Sequence, residues 1–313
     1  MEWDDQQLGR RLKLRDLNIL LTVARCGSMG RAAAELSVAQ PAISRTIADM
    51  EHTLGVRLFD RSPQGVEPTI YARALLDRGI IAFDELRQAI KHMEFLANPT
   101  AGDLRIGTSI ALATGFGRVL IEQLSRQYPG IVFHLLAAET GMTYRALAER
   151  KVDLVIARIF APVEDHMHAQ VLYDEEELVV AGTRNPWTRN RKVALADLIN
   201  EAWTLPPPDS LTGTVVVEAF RARGLDLPRT TIFTSSVPAR TSLSATGRFL
   251  TIVPGSVLAF PATNTGLKRL PVALPTTRRP VGIVTLKNRT LSPLVQLLID
   301  RARQLARDAP PAA

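Results

Sequence analysis

The sequence contains one cysteine, Cys26, in 313 residues. A lone cysteine excludes an internal disulfide framework and fits a reducing, cytoplasmic setting. At the end of an apolar helix, Cys26 reads as a small buried packing residue rather than a nucleophile. No uncharged apolar run approaches the ~18 residues that a membrane span requires. The opening also lacks the basic, apolar, small-residue order of a secretory signal, because residues 1–5 already carry three acids. No repeat of 20 to 50 residues is present beyond a loose likeness between two late segments. Catalytic constellations are missing too. Gly115-Phe116-Gly117 has no third glycine and falls within a predicted helix, so it makes no dinucleotide fingerprint. His166 and His168 would share one strand face, but no cysteine or further histidine joins them as metal ligands. His52, His92 and His134 have no adjacent nucleophile-and-base pair. The chain therefore reads as a non-enzyme with no metal and no cofactor.

Length allows two or three units, and 46% apolar with 22% charged residues is ordinary globular composition. The formal net charge is +7, yet residues 1–98 hold 13 basic and 13 acidic residues, so the surplus lies entirely beyond them. Within residues 10–73 there are ten basic and six acidic residues, a modest local excess where a phosphate backbone could lie. Residues 1–12 are polar. Arg10, Arg11 and Lys13 either serve that backbone or belong to a solvated N-terminus.

The informative stretch is 28–69. Leu17, Leu20, Leu21 and Ala24 place a first core helix over 16–24, ended by Gly27. Ser28 is suited to cap a short alanine-rich helix over 28–36. Ser37-Val38-Ala39 is a three-residue turn, and a second helix starts at Gln40 with Pro41 in its first turn and Gly55 at its stop. Ile43, Ile47, Met50 and Leu54 fall on one buried stripe, leaving Gln40, Ser44, Arg45 and Asp49 outward. Val56, Leu58 and Phe59 then clamp the core, and 62–69 has the turn chemistry and short return strand of a wing. Residues 69–95 contain no proline and one glycine, with Tyr71, Leu75, Ala82, Leu86, Ile90 and Met93 along one stripe. A helix of that length spans ~40 Å. Its stripe pairs with a second copy of the helix or, alternatively, packs on the chain's own C-terminal region.

Residues 98–102 read as a hinge. Beyond it, strands at 104–108, 132–136 and 153–157 alternate with helices reaching 127 and spanning 144–150, which implies a parallel sheet covered on both faces. After a pause at 175–181 the rhythm resumes with strands at 202–205, 231–233 and 250–253 and helices at 216–223 and 239–246. A strand at 281–286 and a helix at 292–305 end the pattern. Two small α/β lobes joined by crossing strands leave a ligand cleft at strand ends.

The run "GSMGRAAAELSVAQPAISRTIADMEHTLGVRLFDR" resembles the signature of the LysR-type transcriptional regulators at nearly every position. "LRIGTS", "QYPGIVFHLL", "LAERKVDLVIAR", "YDEEELVVAG" and "GRFLTIVP" extend the likeness more loosely, so it covers residues 13–305. The resemblance implies an α+β multidomain chain: a winged helix-turn-helix (1–70), a dimerisation linker helix (71–98) and a two-lobed α/β, periplasmic-binding-protein-like effector domain (99–313). Lobe I would take about 103–180 and 267–305, and lobe II about 181–266. It also implies a dimer, usually assembling to a homotetramer, acting on double-stranded DNA under a small-molecule effector, with RNA polymerase as a further partner and no membrane. Gln64 and Glu67 depart from the family's basic wing, and Pro68-Thr69-Ile70-Tyr71-Ala72 from its usual glycine ending, which weakens wing-to-phosphate affinity.

On DNA, the N-terminal turn around Pro41 faces base edges, where Gln40 suits adenine and Arg45 guanine. Ser28, Ser44 and Thr69 suit phosphate oxygens. Arg61 suits a phosphate or the minor groove, or else pairs with Asp60 or Glu67. For the effector, Thr108, Ser109 and Ile110 lie where a strand meets a helix N-terminus, a place for an anion. Arg158 either reaches the same cleft or forms a structural ion pair. Pro207, Ser235 and Ser236 face them from the second lobe. A carboxylate or sugar acid is the expected ligand class. Other architectures remain open: a ligand-independent DNA-binding protein, a transporter's solute-binding protein, for which the signal segment is missing, or an enzyme.

Overall fold

A computed structural model describes residues 12–63, 65–229, 231–260 and 266–308. Arg10, Arg11 and Gln64, named above, lie outside them. The chain divides into two compact units, residues 1–89 and 90–313. The first begins with α1 (Leu14–Cys26), α2 (Met29–Glu35) and α3 (Gln40–Leu54). Local chemistry sets these limits. The Ser28 hydroxyl accepts from the Arg31 N–H at 3.5 Å and so caps α2. Pro41 stands in the first turn of α3, where its missing N–H leaves no donor wanting. Gly27 and Gly55 close α1 and α3 in the left-handed region. Ile43, Ile47 and Met50 are buried against Leu17, Leu20, Val23 and Ala32. Each of the larger side chains among them gains roughly 1.5–3 kcal/mol on burial.

A two-stranded wing follows, β1 (Phe59–Ser62) paired antiparallel with β2 (Gly65–Pro68). It is tied to the helices through the Val66 N–H, which donates to the Gly27 carbonyl at 3.0 Å. That approach requires glycine at 65. Its φ is 138°, and a Cβ there would lie 2.4 Å from the Gly27 oxygen. The long helix α4 (Ile70–Ala97) then runs 28 residues, about 42 Å. Leu75, Leu76 and Phe83 pack on the core of the first unit, so Leu75 leaves the expected stripe. Tyr71, Leu86, Ile90 and Met93 stay exposed.

The second unit holds two five-stranded sheets, ordered β4-β3-β5-β12-β6 and β11-β7-β10-β8-β9. The first contains β3 (Ala101–Thr108), β4 (Gly130–Ala137), β5 (Leu154–Arg158), β6 (Met167–Glu175) and β12 (Arg279–Leu286). The second contains β7 (Glu177–Gly182), β8 (Trp203–Leu205), β9 (Thr231–Phe233), β10 (Leu250–Pro254) and β11 (Leu267–Arg269). Leu154 and Ile156 face one core, under α5 (Ile110–Thr114), α6 (Phe116–Gln127) and α11 (Pro293–Asp308). Val155 and Ala157 face the other, under α7 (Thr140–Ala148). This is the two-sided burial that the alternating rhythm implied. The second sheet carries α8 (Leu211–Arg221), α9 (Val237–Ala245) and the short α10 (Ser256–Ala259), with Trp203 and Phe220 in edge-to-face contact in its core.

Three expectations need correcting. The sheets are mixed, because β12 runs antiparallel to both β5 and β6, and β10 runs antiparallel to β7. The helix expected to run on to 127 is broken at Gly115 into α5 and α6. The apparent pause at 175–181 is the point where β6 ends and β7 begins, so the chain crosses between sheets at Glu176 and again between Arg269 and Arg279. A buried carboxylate organises the base of the first sheet. Asp153 accepts from Lys91 Nζ at 3.0 Å, Arg289 Nη2 at 2.9 Å and the Arg105 N–H at 2.9 Å. Lys91 belongs to α4, so this cluster anchors the end of the long helix to the first lobe.

Gly65→Ala is expected to lower the stability of the first unit by about 3 kcal/mol, since strain and a backbone clash act together. Thermal unfolding followed by circular dichroism checks this. A melting point unchanged from the wild type would mean that the wing is not held through Gly27.

Candidate nucleic-acid interface and ligand cleft

The outward side of α3 carries Gln40, Pro41, Arg45 and Asp49, all exposed, with Ser44 half-buried. This face is free because the opposite stripe is spent on the core. Ser28 is half-buried, and its oxygen is used as a helix cap while its proton remains available. Thr69 is placed differently. Its hydroxyl donates to the Arg57 carbonyl at 2.8 Å and accepts from the Ala72 N–H at 3.3 Å, which makes it the N-terminal cap of α4 and commits the proton wanted for a phosphate oxygen. Arg61 is exposed on β1 and stands opposite Val66, while Asp60 stands opposite Glu67. Like charges facing each other across the wing oppose phosphate contact on that side.

Glu51 escaped the sequence reading. Its Oε1 accepts from the Leu58 N–H at 2.8 Å and the Phe59 N–H at 3.3 Å, tying the C-terminal half of α3 to the start of the wing. The available signal was an acid one turn past Ile47, next to the buried stripe. Cys26 is half-buried rather than fully buried, and its thiol donates to Glu35 Oε2 at 3.3 Å. Desolvation, with the Glu35 hydrogen bond and charge, pushes its pKa up and away from the nucleophilic thiolate.

In the second unit a cavity of about 370 Å³ opens between the two sheets. Ser109, Ile110, Arg158 and Ser235 line it. Thr108 is fully buried beside it. Pro207 and Ser236 stand next to the lining residues Pro206 and Val237 without lining it themselves. The Ser109 oxygen caps α5, but α5 is only five residues long. One turn and a half builds little macrodipole, so the anion site expected at 108–110 loses its main support. Longer helices take that place. α7, α8 and α9 begin at Thr140, Leu211 and Val237, and all three first turns lie on the cavity.

Arg158 is 4% exposed at its side chain and bound on both sides. It forms a hydrogen-bonded ion pair with Glu177 Oε1, lies 3.4 Å from Glu175 Oε2, and donates to the Thr277 carbonyl at 3.3 Å. Burial opposes its charge, but Glu177 and Glu175 outweigh that and hold its pKa above the ordinary value. Burial pushes the Glu175 carboxyl up, against the pull of Arg158 and of the Ser256 N–H, which donates to it at 2.7 Å. Arg158 is thus both a lining residue and the structural ion pair weighed above. A second arginine, Arg240, also lines the cavity and was not anticipated. It shares a buried helical face with Val237 and Ser244, so an arginine in an otherwise inward stripe was the overlooked signal.

Among the described residues no helix is long and apolar enough to cross a membrane, and no three His, Cys, Asp or Glu stand together as metal ligands. A helix-turn-helix followed by a long helix and a two-lobed ligand-binding unit defines the class: a ligand-responsive DNA-binding regulator. The comparisons narrow it. Residues 14–73 match the lysR-family bacterial regulatory helix-turn-helix, and residues 97–307 match the LysR substrate binding domain. The chain belongs to the LysR family of DNA-binding transcriptional regulators. It is 29% identical to the HTH-type transcriptional regulator GbpR of Azospirillum brasilense over 91% of this chain and 84% of that one. It is 26% identical to the transcriptional dual regulator GltC of Bacillus subtilis, over 90% and 93%. In fold it is similar to a full-length OxyR variant from Pseudomonas aeruginosa, with a TM-score of 0.68, 22% identity and coverage of 96% and 98%. It is also similar to full-length CbnR complexed with its target DNA, with a TM-score of 0.55, 21% identity and coverage of 94% and 100%.

Glu51→Ala leaves two backbone donors without their acceptor and is expected to cost about 1–3 kcal/mol of stability. Glu51→Gln, which keeps the acceptor oxygen, should recover most of it. Chemical denaturation of both variants checks this, and equal losses would assign the effect to charge instead of the hydrogen bonds.

Proposed function

We propose that copies of the chain pair through α4, assemble further into a homotetramer in the cytoplasm, and read double-stranded promoter DNA through α3. A small carboxylate or sugar acid in the cleft then sets how the paired sites are contacted. RNA polymerase is the further partner such a regulator addresses. The observation that carries this reading is the division of labour within one chain. α3 offers Gln40, Ser44 and Arg45 on a free face, while a separate unit holds a cavity with three helix N-termini on its wall. Pairing is supported by Leu86, Ile90 and Met93, exposed apolar residues spaced by four and three along α4. An anion is supported by the first turns of α7, α8 and α9.

Arg45→Ala should relax sequence preference by about 1–3 kcal/mol at one base step while leaving binding to random DNA nearly unchanged. Equal losses on operator and random DNA would remove its base-reading role. For the ligand, calorimetric titration of the full chain with gluconate and lactate, against glucose as the neutral control, should show heat for the acids alone. Binding confined to neutral compounds would sink the anion reading.

A further inference from the structure

Two arginines line the cavity, and their surroundings differ. Arg158 is charge-paired with Glu177 and Glu175 and donates to the Thr277 carbonyl. Arg240 is equally buried, at 2% exposure, yet among the described residues it donates only from Nη1, to the Ile252 carbonyl at 2.6 Å. Among the described residues no carboxylate lies within ion-pairing distance of it. Burial lowers its pKa, with the more distant Glu177 charge acting the other way. Buried cations are ordinarily paired, because desolvation without a counter-charge is costly. An unpaired guanidinium on a cavity wall is therefore a vacancy for an anion, and its planar fork matches a carboxylate.

We infer that Arg240, and not Arg158, holds the effector's carboxylate, and that the effector is a monocarboxylate with a neutral, hydroxylated remainder. The inference rests on the proposed anionic effector and adds its partner and its charge pattern. Arg240 lies in α9, whose N-terminus meets the cavity at Val237 and brings a positive dipole end, although Pro238 has no N–H and the Ala239 N–H is taken by the Ser236 cap. The remainder of the ligand meets a different environment. Glu139 and Asp209 also line the cavity and are exposed, and they repel a second negative charge. Ser109, Thr140, Ser210 and Ser235 offer hydroxyls to a polyol chain instead. A carboxylate at the floor with hydroxyls toward the acidic rim satisfies both ends, whereas a di- or tricarboxylate does not.

The test uses the full-length chain and titrates acetate, gluconate and citrate at constant ionic strength, with acetamide and glucose as neutral counterparts. Gluconate is expected to bind more tightly than citrate. Arg240→Gln should weaken gluconate binding about 10- to 100-fold, as loss of a charge-assisted hydrogen bond does. Arg240→Lys should recover part of it. Equal gluconate affinity in wild type and Arg240→Gln would overturn the inference while leaving an anionic effector in place. Citrate binding above gluconate would overturn the monocarboxylate assignment. Failure of every acid to bind wild type above its neutral counterpart would sink the anionic reading and this inference with it. Circular dichroism establishes that each variant is folded. Should Arg240→Gln not fold, a crystal structure of the wild type grown in acetate decides the matter: carboxylate on Arg240 supports the inference, and carboxylate on Arg158 with Arg240 bare refutes it.

Discussion

The ion pairs of Arg158 are the constraint on which the effector-binding unit depends. Glu175 ends β6 in one sheet and Glu177 begins β7 in the other, so the two acids flank a crossing of the chain between lobes. Arg158, at the end of β5, engages both, and its bond to the Thr277 carbonyl reaches the returning segment just before β12 as well. A buried cluster of this kind adds little net stability over an apolar one, because desolvation of each charge offsets the attraction. What it adds is position. Both crossings are held to one guanidinium, so the cavity walls keep a fixed relation at their base while their outer parts carry the contacts a ligand meets.

The DNA-binding unit is built on the opposite economy, with few charges and a small core. Ten basic and six acidic residues over 10–73, and a wing in which Asp60 faces Glu67, leave little electrostatic pull toward phosphates. On the proposed reading a single copy is expected to bind weakly, with discrimination left to the side chains in the first turns of α3. Pairing two such units raises the local concentration of the second reader without any new contact to DNA. The apolar residues left exposed on α4, Leu86, Ile90 and Met93, are the part of the chain with the geometry for that pairing.

How far these features can be read from residues alone depends on whether the signal is local. Ser28 as a cap, Pro41 in a first turn, Gly27 and Gly55 as stops and the Ile43, Ile47, Met50 stripe are all legible, because each is decided within one or two turns. The strand β6 was not, since His168, Gln170 and Asp174 interrupt any apolar run at a sheet edge where one side meets solvent. The break at Gly115 was hidden by good helix formers on both sides. Glu51 was missed, and the backbone bonds of the Thr69 hydroxyl were not legible, for a shared reason. A hydroxyl or carboxylate shows its chemistry in the sequence, but whether that chemistry is already spent on a neighbouring backbone depends on a fold-level approach, here of residues 57–59. The same holds for the arginines. Arg158 follows an apolar strand, and which of its two readings holds is decided by partners 17 and 19 residues on, whereas Arg240 looks like one more helical surface residue and is buried with no counter-ion among the described residues.

A ligand shifts such a protein only through contacts it makes unequally in two states. The cavity meets this requirement in a particular way, because its wall is split between lobes. The first turn of α7 belongs to the first lobe, and those of α8 and α9 belong to the second. A molecule that reached only α8 and α9 would bind without favouring any lobe arrangement. One long enough to engage α9 at its acid end and Thr140 or Ser109 at the other gains its second set of contacts only when the walls are at the right separation. For the acid effector proposed above, ligand length measured from the carboxylate is then as decisive for the regulatory response as the anchoring charge.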